Sequence, residues 1–342
     1  MRLLPPDCPG SPVTATVLAA DIGGTHTRLA IAPATAPERP LRVQAYDNAD
    51  WPDFVSLLAA FLAERHESPT RACIAVAAPV GTGQRCVELT NLSWRIDADG
   101  ISARLSGAPV CLINDFAAVA HAVPHLDDDS LVSVQPGQPD PLAPAALIGA
   151  GTGLGQALVL ECHETGRLHV MPTEGGHSDF APQTREDWEL LEYLQGCYGA
   201  HVSWERVLSG SGLVELYRFR CGKHLHPDVR QAEREGRDPA PVITRLGLEA
   251  DDKTAEATLR HFVRLYGAQA GNLALQTLCR RGLFIAGGIA IHLLPLIASG
   301  GFLDAFLAKD RFRNLLTRLP VQVIVHPWPG LLGALTAAAA CD

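Results

Sequence analysis

The sequence predicts an α/β protein, on three observations. Short apolar runs bounded by turn residues alternate with stretches of helical spacing. A strand-like run, an Asp- or Gly-rich turn and a second strand-like run occur twice, at 15–32 and at 145–160, which suggests two duplicated lobes. The chain has 342 residues, enough for two lobes that each bury a core.

Taken in order, Ala15 to Ala20, Leu29 to Ala32, Ala72 to Ala77 and Pro109 to Ile113 read as strands, and Phe54 to Glu64 reads as a helix. The last of these strand-like runs, which extends back to Ala108, leads into Asn114-Asp115, and Phe116 to His121 then reads as a helix. Val134 to Pro144 is a Pro-rich break, expected as a loop near a lobe boundary. Ala145 to Ile148 and Gln156 to Leu160 are strands on either side of a glycine turn. Cys221 to Pro241, charged and rich in breakers, reads as mobile surface. Val321 to Val325 is a late strand, and Pro329 to Ala340 a closing helix of small residues.

Composition excludes several function classes. Acidic residues number 37 against 28 basic ones, a net charge of −9 without a Lys/Arg cluster, so nucleic acid is not the expected partner. No apolar run reaches the length of a membrane span, and Pro interrupts the start MRLLPPDCPG, so neither a membrane nor a signal peptide is expected. The nine cysteines are scattered without a C-x-x-C pair, which argues against structural zinc and for reduced thiols in a cytoplasmic protein.

Five constellations carry chemistry. Asn114-Asp115 lies at the carboxyl end of a strand, where ligands bind in open α/β sheets. There an Asp can take a proton from an alcohol, and an Asn can hold the same molecule. From these two residues alone, an N-cap is the commoner reading. Asp21-Ile22-Gly23-Gly24-Thr25-His26-Thr27-Arg28 is a turn between two strands. Its glycines let backbone N–H groups approach an anion, Thr25 and Thr27 add hydroxyls, and Asp21 could hold Mg²⁺ through water. An ordinary hairpin is the alternative.

Gly149-Ala150-Gly151-Thr152-Gly153-Leu154-Gly155 is a second such turn. It matches neither the dinucleotide fingerprint, because Leu154 stands where a glycine is needed and a strand follows, nor a Walker A loop, because the one Gly-Lys pair is followed by His224. Phe284 to Ala290 ends a strand in the pair Gly287-Gly288, leaving either a slot for adenine or ribose or a tightly packed turn. Glu174-Gly175-Gly176-His177 puts a carboxylate and an imidazole at a loop tip, a pairing suited to vicinal hydroxyls. Glu205 is a further acidic candidate, and by itself reads equally as a solvated charge.

The ordered series DIGGT, IND-F, GAGTGLG, EGGHSDFAP, HVSWERVLSGSGL, FIAGGI and PGLLG resembles the bacterial-type glucokinases, members of the sugar kinase/Hsp70/actin superfamily. The resemblance runs from about Thr16 to Ala337, and residues 1–14 read as an extension. It implies a two-lobed, ribonuclease H-like α/β fold with the active site in the interlobe cleft. The smaller lobe would comprise 1–120 plus 323–342, the C-terminal helix returning to it, and the larger lobe 121–322. It implies ATP-dependent phosphorylation of D-glucose at the 6-hydroxyl, with Asp115 as general base and Asn114, Glu174, His177 and Glu205 on the sugar hydroxyls. Asp21, Gly23, Gly24 and Thr25 would form one phosphate hairpin and Gly149, Gly151, Thr152 and Gly153 the other, with Gly287 and Gly288 near the adenosine. Mg²⁺ would lie by Asp21 through water, and the protein would be a cytoplasmic homodimer.

Two features bear on the alternatives, a kinase for another hexose or amino sugar and a non-catalytic sugar-binding regulator. A related branch of kinases and repressors carries a cysteine-rich zinc loop after its Gly-His. Here Ser178-Asp179-Phe180-Ala181-Pro182 follows His177, and the segment before Asp21 is too short for a helix-turn-helix. Trp204 stands where small residues are usual, and is expected to reshape the edge of the sugar pocket.

Overall fold

The computed structural model describes residues 15–65, 68–81, 83–89, 92–162 and 164–341, so the extension expected at 1–14 lies outside the described residues. The chain divides into two units, up to His125 with Trp328 onward, and Leu126–Pro327.

The first unit is built on a five-stranded sheet. Its strands are β1 (Thr16–Ile22), β2 (His26–Pro33), β3 (Arg42–Asp47), β4 (Arg71–Val76) and β7 (Val110–Asn114), in the order β3-β2-β1-β4-β7. The short strands β5 (Cys86–Glu88) and β6 (Arg95–Asp97) form a separate hairpin. β1 is antiparallel to β2 and parallel to β4, which is parallel to β7. Ile22 pairs with Val76 and Val76 with Asn114, so β1, β4 and β7 end at one edge. With strands about 4.8 Å apart, the ends of β1 and β7 are about 10 Å from each other. Asp21 and Asp115 therefore come to the same edge from positions 94 residues apart in sequence.

Burial on both faces explains the near-continuous apolar runs of β1 and β4. One face packs on Phe54, Leu57, Leu58 and Phe61 of α1 (Phe54–Ala63) and Ile101 of α2 (Ala98–Arg104). The other packs on the C-terminal helix (Pro329–Ala339) through Leu331, Ala334, Leu335 and Ala338, together with Ala118 of α3 (Asp115–Ala122). The small residues of PGLLGALTAAA make this approach possible: a Cβ on Gly333 would collide with the carbonyl oxygen of Ala118, and one on Gly330 would lie 3.0 Å from Asp21 Oδ2.

The second unit repeats the plan. Its six-stranded sheet runs β11-β10-β9-β12-β13-β8, with β8 (Leu131–Gln135), β9 (Ala145–Ala150), β10 (Leu154–Cys162), β11 (Arg167–Thr173), β12 (Gly282–Ala286) and β13 (Val321–Ile324). As in the first unit, an antiparallel three-strand meander (β9, β10, β11) is extended by parallel strands (β12, β13) on the far side of its first strand. Five helices supply most of its cover: α4 (Arg185–Tyr198), α5 (Gly210–Cys221), α6 (Pro227–Arg234), α7 (Ala240–Leu248) and the 25-residue α8 (Lys253–Thr277). The apolar residues they bury form one cluster with the interiors of β9 and β12.

One expected element is corrected. The stretch 221–241, read as mobile surface, contains α6 and opens α7. Pro227 starts α6 at a position where its missing N–H costs nothing, and Val229 and Ala232 are the two residues that α6 buries. Arg218 donates to Glu233 Oε1 at 2.7 Å and pins the helix to α5.

Gly333→Val should destabilise the first unit by about 2 kcal/mol or more, because a branched side chain has to displace the α3 backbone rather than a flexible side chain. Urea unfolding followed by circular dichroism reads this, and a wild-type midpoint would show that the two helices separate freely.

Candidate active site

In the first unit, Asn114 and not Asp115 is the N-cap of α3. Asn114 Oδ1 accepts from the N–H groups of Phe116 (2.9 Å) and Ala117 (3.2 Å). Its Nδ2 donates to Ala78 O at 3.2 Å and to Asp115 Oδ1 at 2.9 Å. Asp115 Oδ1 also accepts from the Phe116 N–H at 2.8 Å. Oδ2 makes no hydrogen bond to the protein among the described residues, so a half-buried carboxylate has one oxygen fixed and one available. Burial raises the Asp115 pKa, opposed by the Phe116 N–H and the Asn114 amide.

Asp21 is pushed up to about 6, first by burial and then by the charge of Asp115, with Arg28 pulling it down. After it comes the turn Gly23–Thr25, closed by Gly23 N–H donating to His26 O at 3.0 Å. The N–H groups of Gly24 and Thr25 have no acceptor among the described residues and are exposed, as an anion site requires. Asn48, which the sequence reading overlooked, straps this turn. It donates to Gly23 O at 2.9 Å and accepts from Thr27 Oγ1 at 2.7 Å, and its own N–H reaches Thr25 O at 2.8 Å. Thr27 is thus fully buried and committed to Asn48, not a hydroxyl presented to a ligand.

In the second unit, residues 151–153 form the turn between β9 and β10. Gly151 donates its N–H to Gly153 O, and Gly210 donates to Gly151 O, both at 2.8 Å. The N–H groups of Thr152 and Gly153 have no acceptor among the described residues. Gly149, expected in this turn, is instead buried inside β9, paired with Gly155 and Ala286. Its regular strand hydrogen-bonding takes its backbone out of the anion-binding turn.

Three predicted sugar readers come together beside this turn. Glu205 Oε2 accepts the Leu154 N–H at 3.0 Å and lies 2.5 Å from where a Cβ on Gly153 would be. His177 Nδ1 is 3.9 Å from Glu205 Oε1, and His177 Nε2 is 3.7 Å from Glu174 Oε2. These separations exceed hydrogen-bonding distance, so the three groups keep polar atoms for another partner. The glycine pair between Glu174 and His177 has a packing cause. A Cβ on Gly175 would strike Gln156 Oε1, and one on Gly176 would strike Leu154 O. Gln156, also overlooked in the sequence, is buried here with no hydrogen-bond partner for Nε2 among the described residues.

Trp204, the neighbour of Glu205, is an interior residue. It is 2 % exposed and packs edge-on against Phe180, with ring centroids 5.0 Å apart. Its backbone N–H donates to Ser178 O at 3.0 Å, and the backbone N–H of Phe180 to Val202 O at 2.8 Å. The indole therefore clamps the segment carrying His177 to the segment carrying Glu205.

Gly287 has φ +95°, and a Cβ there would lie 2.5 Å from Ala150 O, so only glycine fits against the end of β9. A cavity of about 860 Å³ opens beside the 151–153 turn, lined by Thr152, Ser211, Pro239, Pro241, Leu248 and Ile289 among others. Gly287 and Gly288 do not line it, but Ile289 and His292, next in the chain, do.

Each unit thus carries a glycine hairpin with free N–H groups at the first turn of a duplicated antiparallel meander, and the first adds a carboxylate with one oxygen unengaged among the described residues. This is the fold of the two-lobed sugar kinase, Hsp70 and actin class. The family model described as glucokinase matches residues 18–341. The glucokinase of Nostoc punctiforme is 39% identical over 340 residues, covering 94% of this chain and 98% of that one. A crystal structure of glucokinase from an Antarctic psychrotroph superposes with a TM-score of 0.82 at 31% identity, covering 95% of this chain and 99% of that one. A glucokinase of the ROK family from Streptomyces griseus, solved with glucose and AMPPNP, shares the fold at a TM-score of 0.63 and 21% identity, covering 95% of this chain and all of that one. The chain belongs to the glucokinase family, the ATP-dependent hexose kinases.

Asp21 gives a stability test whose sign is fixed. Its folded pKa lies above the unfolded value of 3.8, so the folded state prefers the protonated form. The ionised group therefore costs stability fully above about pH 6, and the cost fades as pH falls towards 3.8. Asp21→Asn should stabilise the protein by on the order of 1–3 kcal/mol at about pH 8, and by little at about pH 4. Thermal unfolding at the two values measures this, and an equal effect at both would remove the electrostatic explanation.

Proposed function

We propose that this chain transfers the γ-phosphoryl group of ATP to the 6-hydroxyl of D-glucose, with Asp115 as general base. The observation that carries the assignment is the asymmetry of Asp115, one oxygen held by Phe116 and Asn114 and the other open. The open oxygen accepts the hydroxyl proton as the sugar oxygen bonds to the γ-phosphorus and the bond to the leaving ADP breaks. Burial, which raises the Asp115 pKa, makes it a stronger base than an exposed carboxylate.

Asn114, Glu174, His177 and Glu205 are assigned to the sugar hydroxyls. The free N–H groups of Gly24 and Thr25 and of Thr152 and Gly153 are assigned to the phosphates, where fixed donors stabilise developing charge without reorganising. Gly23 and Gly151 shape those turns. The cavity beside Thr152 is assigned to the adenosine, with Gly287 and Gly288 setting the start of the helix (Gly288–His292) whose Ile289 and His292 line its wall.

Mg²⁺ fits the first unit. Asp21 and Asp115 are two carboxylates on one sheet edge, Asp21's pKa is raised in part by the charge of Asp115, and their oxygens suit a hard cation. Asp21 would hold it, through water. When bound, Mg²⁺ neutralises charge on the ATP phosphates.

No helix among the described residues is long and apolar enough to cross a membrane. The family reading adds a cytoplasmic homodimer, which sedimentation and cell fractionation test.

A panel of hexoses with coupled detection of ADP tests the substrate. D-Glucose should be preferred over fructose, mannose and N-acetyl sugars, because a site built on hydrogen bonds rejects analogues that leave its polar groups unpaired. Preference for one of those sugars would reassign the substrate. Asp115→Asn should lower kcat by roughly 10²–10⁴-fold with a much smaller change in glucose affinity. A near wild-type kcat would remove Asp115 as base. Gly151→Val is a clean steric probe, since a Cβ at Gly151 meets nothing within 4 Å in the protein itself. It should leave stability and glucose binding intact and weaken ATP. Unchanged ATP affinity would mean that no phosphate approaches this turn.

A further inference from the structure

At the end of its sheet opposite the 151–153 turn, the second unit carries a different kind of site. β9, β12 and β13 are parallel, and they begin together at Ala145, Gly282 and Val321. Their starting edge is about 16 Å from the edge that carries 151–153 and Gly287, at about 3.3 Å per residue over five residues. There a cavity of about 550 Å³ is lined by Gln138, Asp140, Arg280, Arg311, Asn314 and Arg318, with Leu315 and Leu319 as its apolar part.

The Pro-rich loop that follows β8 forms one wall, and backbone bonds hold it in place. Gln138 donates its N–H to Arg318 O at 2.6 Å, and Asp140 donates to Arg280 O at 2.9 Å. Gln135 Nε2 donates to Leu316 O and Leu319 O at 2.8 and 2.6 Å. Gly137 has φ +56°, and a Cβ there would run into Leu319 and Pro320, so the loop lies flat on the lead into β13. Arg280 and Arg318 thus spend their carbonyls on the loop while their side chains border the cavity.

The charge is unbalanced. The chain carries −9 overall, yet this lining holds three guanidiniums against one carboxylate. Asp140 pairs with Arg280 at 3.1 Å. Arg311 and Arg318 have no ion-pair partner among the described residues; Arg311 lies over the Phe312 ring at 5.2 Å. Guanidinium forks match phosphate oxygens in bidentate geometry, and the amides of Gln138 and Asn314 can serve hydroxyl or ester oxygens. The volume is that of a small-molecule pocket, and the acidic remainder of the surface disfavours a polyanion such as nucleic acid.

We infer that Arg311 and Arg318, with Arg280, Gln138 and Asn314, form an anion site that takes a small organic phosphate, separate from the 151–153 turn. It does not depend on the assignment of the sugar.

Calorimetric titration of the full-length protein with glycerol 2-phosphate tests this, with glucose and AMPPNP present in saturating amounts so that the catalytic sites do not compete. Inorganic phosphate is titrated in parallel. Wild type should show saturable 1:1 binding, weakened roughly tenfold to a hundredfold in Arg311→Gln/Arg318→Gln. That variant should keep the wild-type Tm and kcat. Arg318→Lys should fall between the two, because it keeps charge and loses the fork. Tighter binding of glycerol 2-phosphate than of inorganic phosphate supports an organic phosphate. Equal or tighter binding of inorganic phosphate overturns that class, and so does the absence of saturation. Equal affinity in wild type and the double variant overturns the site.

Discussion

The amide of Asn114 is the interaction on which the candidate chemistry depends. By capping α3 with Oδ1 it leaves Asp115 at the first helical position, and by donating from Nδ2 it fixes Asp115 Oδ1. A capping Asp would have spent its carboxylate on backbone N–H groups and lost basicity, since hydrogen bonds to the charged form lower a pKa. Here the cap and the proposed base are different residues. Asp21 sits at the same edge of the sheet, and the C-terminal helix approaches it closely because Gly330 and Gly333 have no side chains. The edge therefore concentrates two carboxylates with raised pKa values, a like-charge arrangement that a bound cation would relieve.

The second unit solves a different problem, the alignment of three side chains from two loops. Trp204 and Phe180 hold those loops together, while Glu205 ties one of them to the start of β10 through the Leu154 N–H. Gly153, Gly175 and Gly176 are small because Glu205, Gln156 and Leu154 occupy the space a side chain would need. Several glycines of the motifs are therefore explained by neighbours within the protein. Gly151 is explained by no such neighbour, which is why its substitution tests the proposed phosphate contact.

Much of the fold was legible in the sequence. The twin strand–turn–strand segments announced the duplicated sheets, because paired glycines between apolar runs have few other uses. The motifs around His177 and Glu205 singled out side chains that the fold brings together. Three things were hidden by long-range packing. The role of Asn48 depends on its meeting the 23–25 turn across the sheet, and nothing local signals that. The burial of Trp204 is decided by Phe180, 24 positions earlier. The helix at 227–234 buries only two side chains, so its apolar period was too thin to stand out among breakers. Thr27 and Gly149 were misjudged in the same way: a motif gives residue types, whereas the strand register decides which of them face outward.

The central claim is that Asp115 takes the sugar proton at an edge whose other carboxylate feels its charge. The most direct measurement is the pH dependence of single-turnover phosphoryl transfer, by rapid quench, in wild type and in Asp115→Asn. The account predicts an acid limb in wild type that moves to lower pH in the variant, since the base is gone and Asp21 loses the neighbour that helps raise it. A slower variant whose acid limb stays in the wild-type position would contradict it.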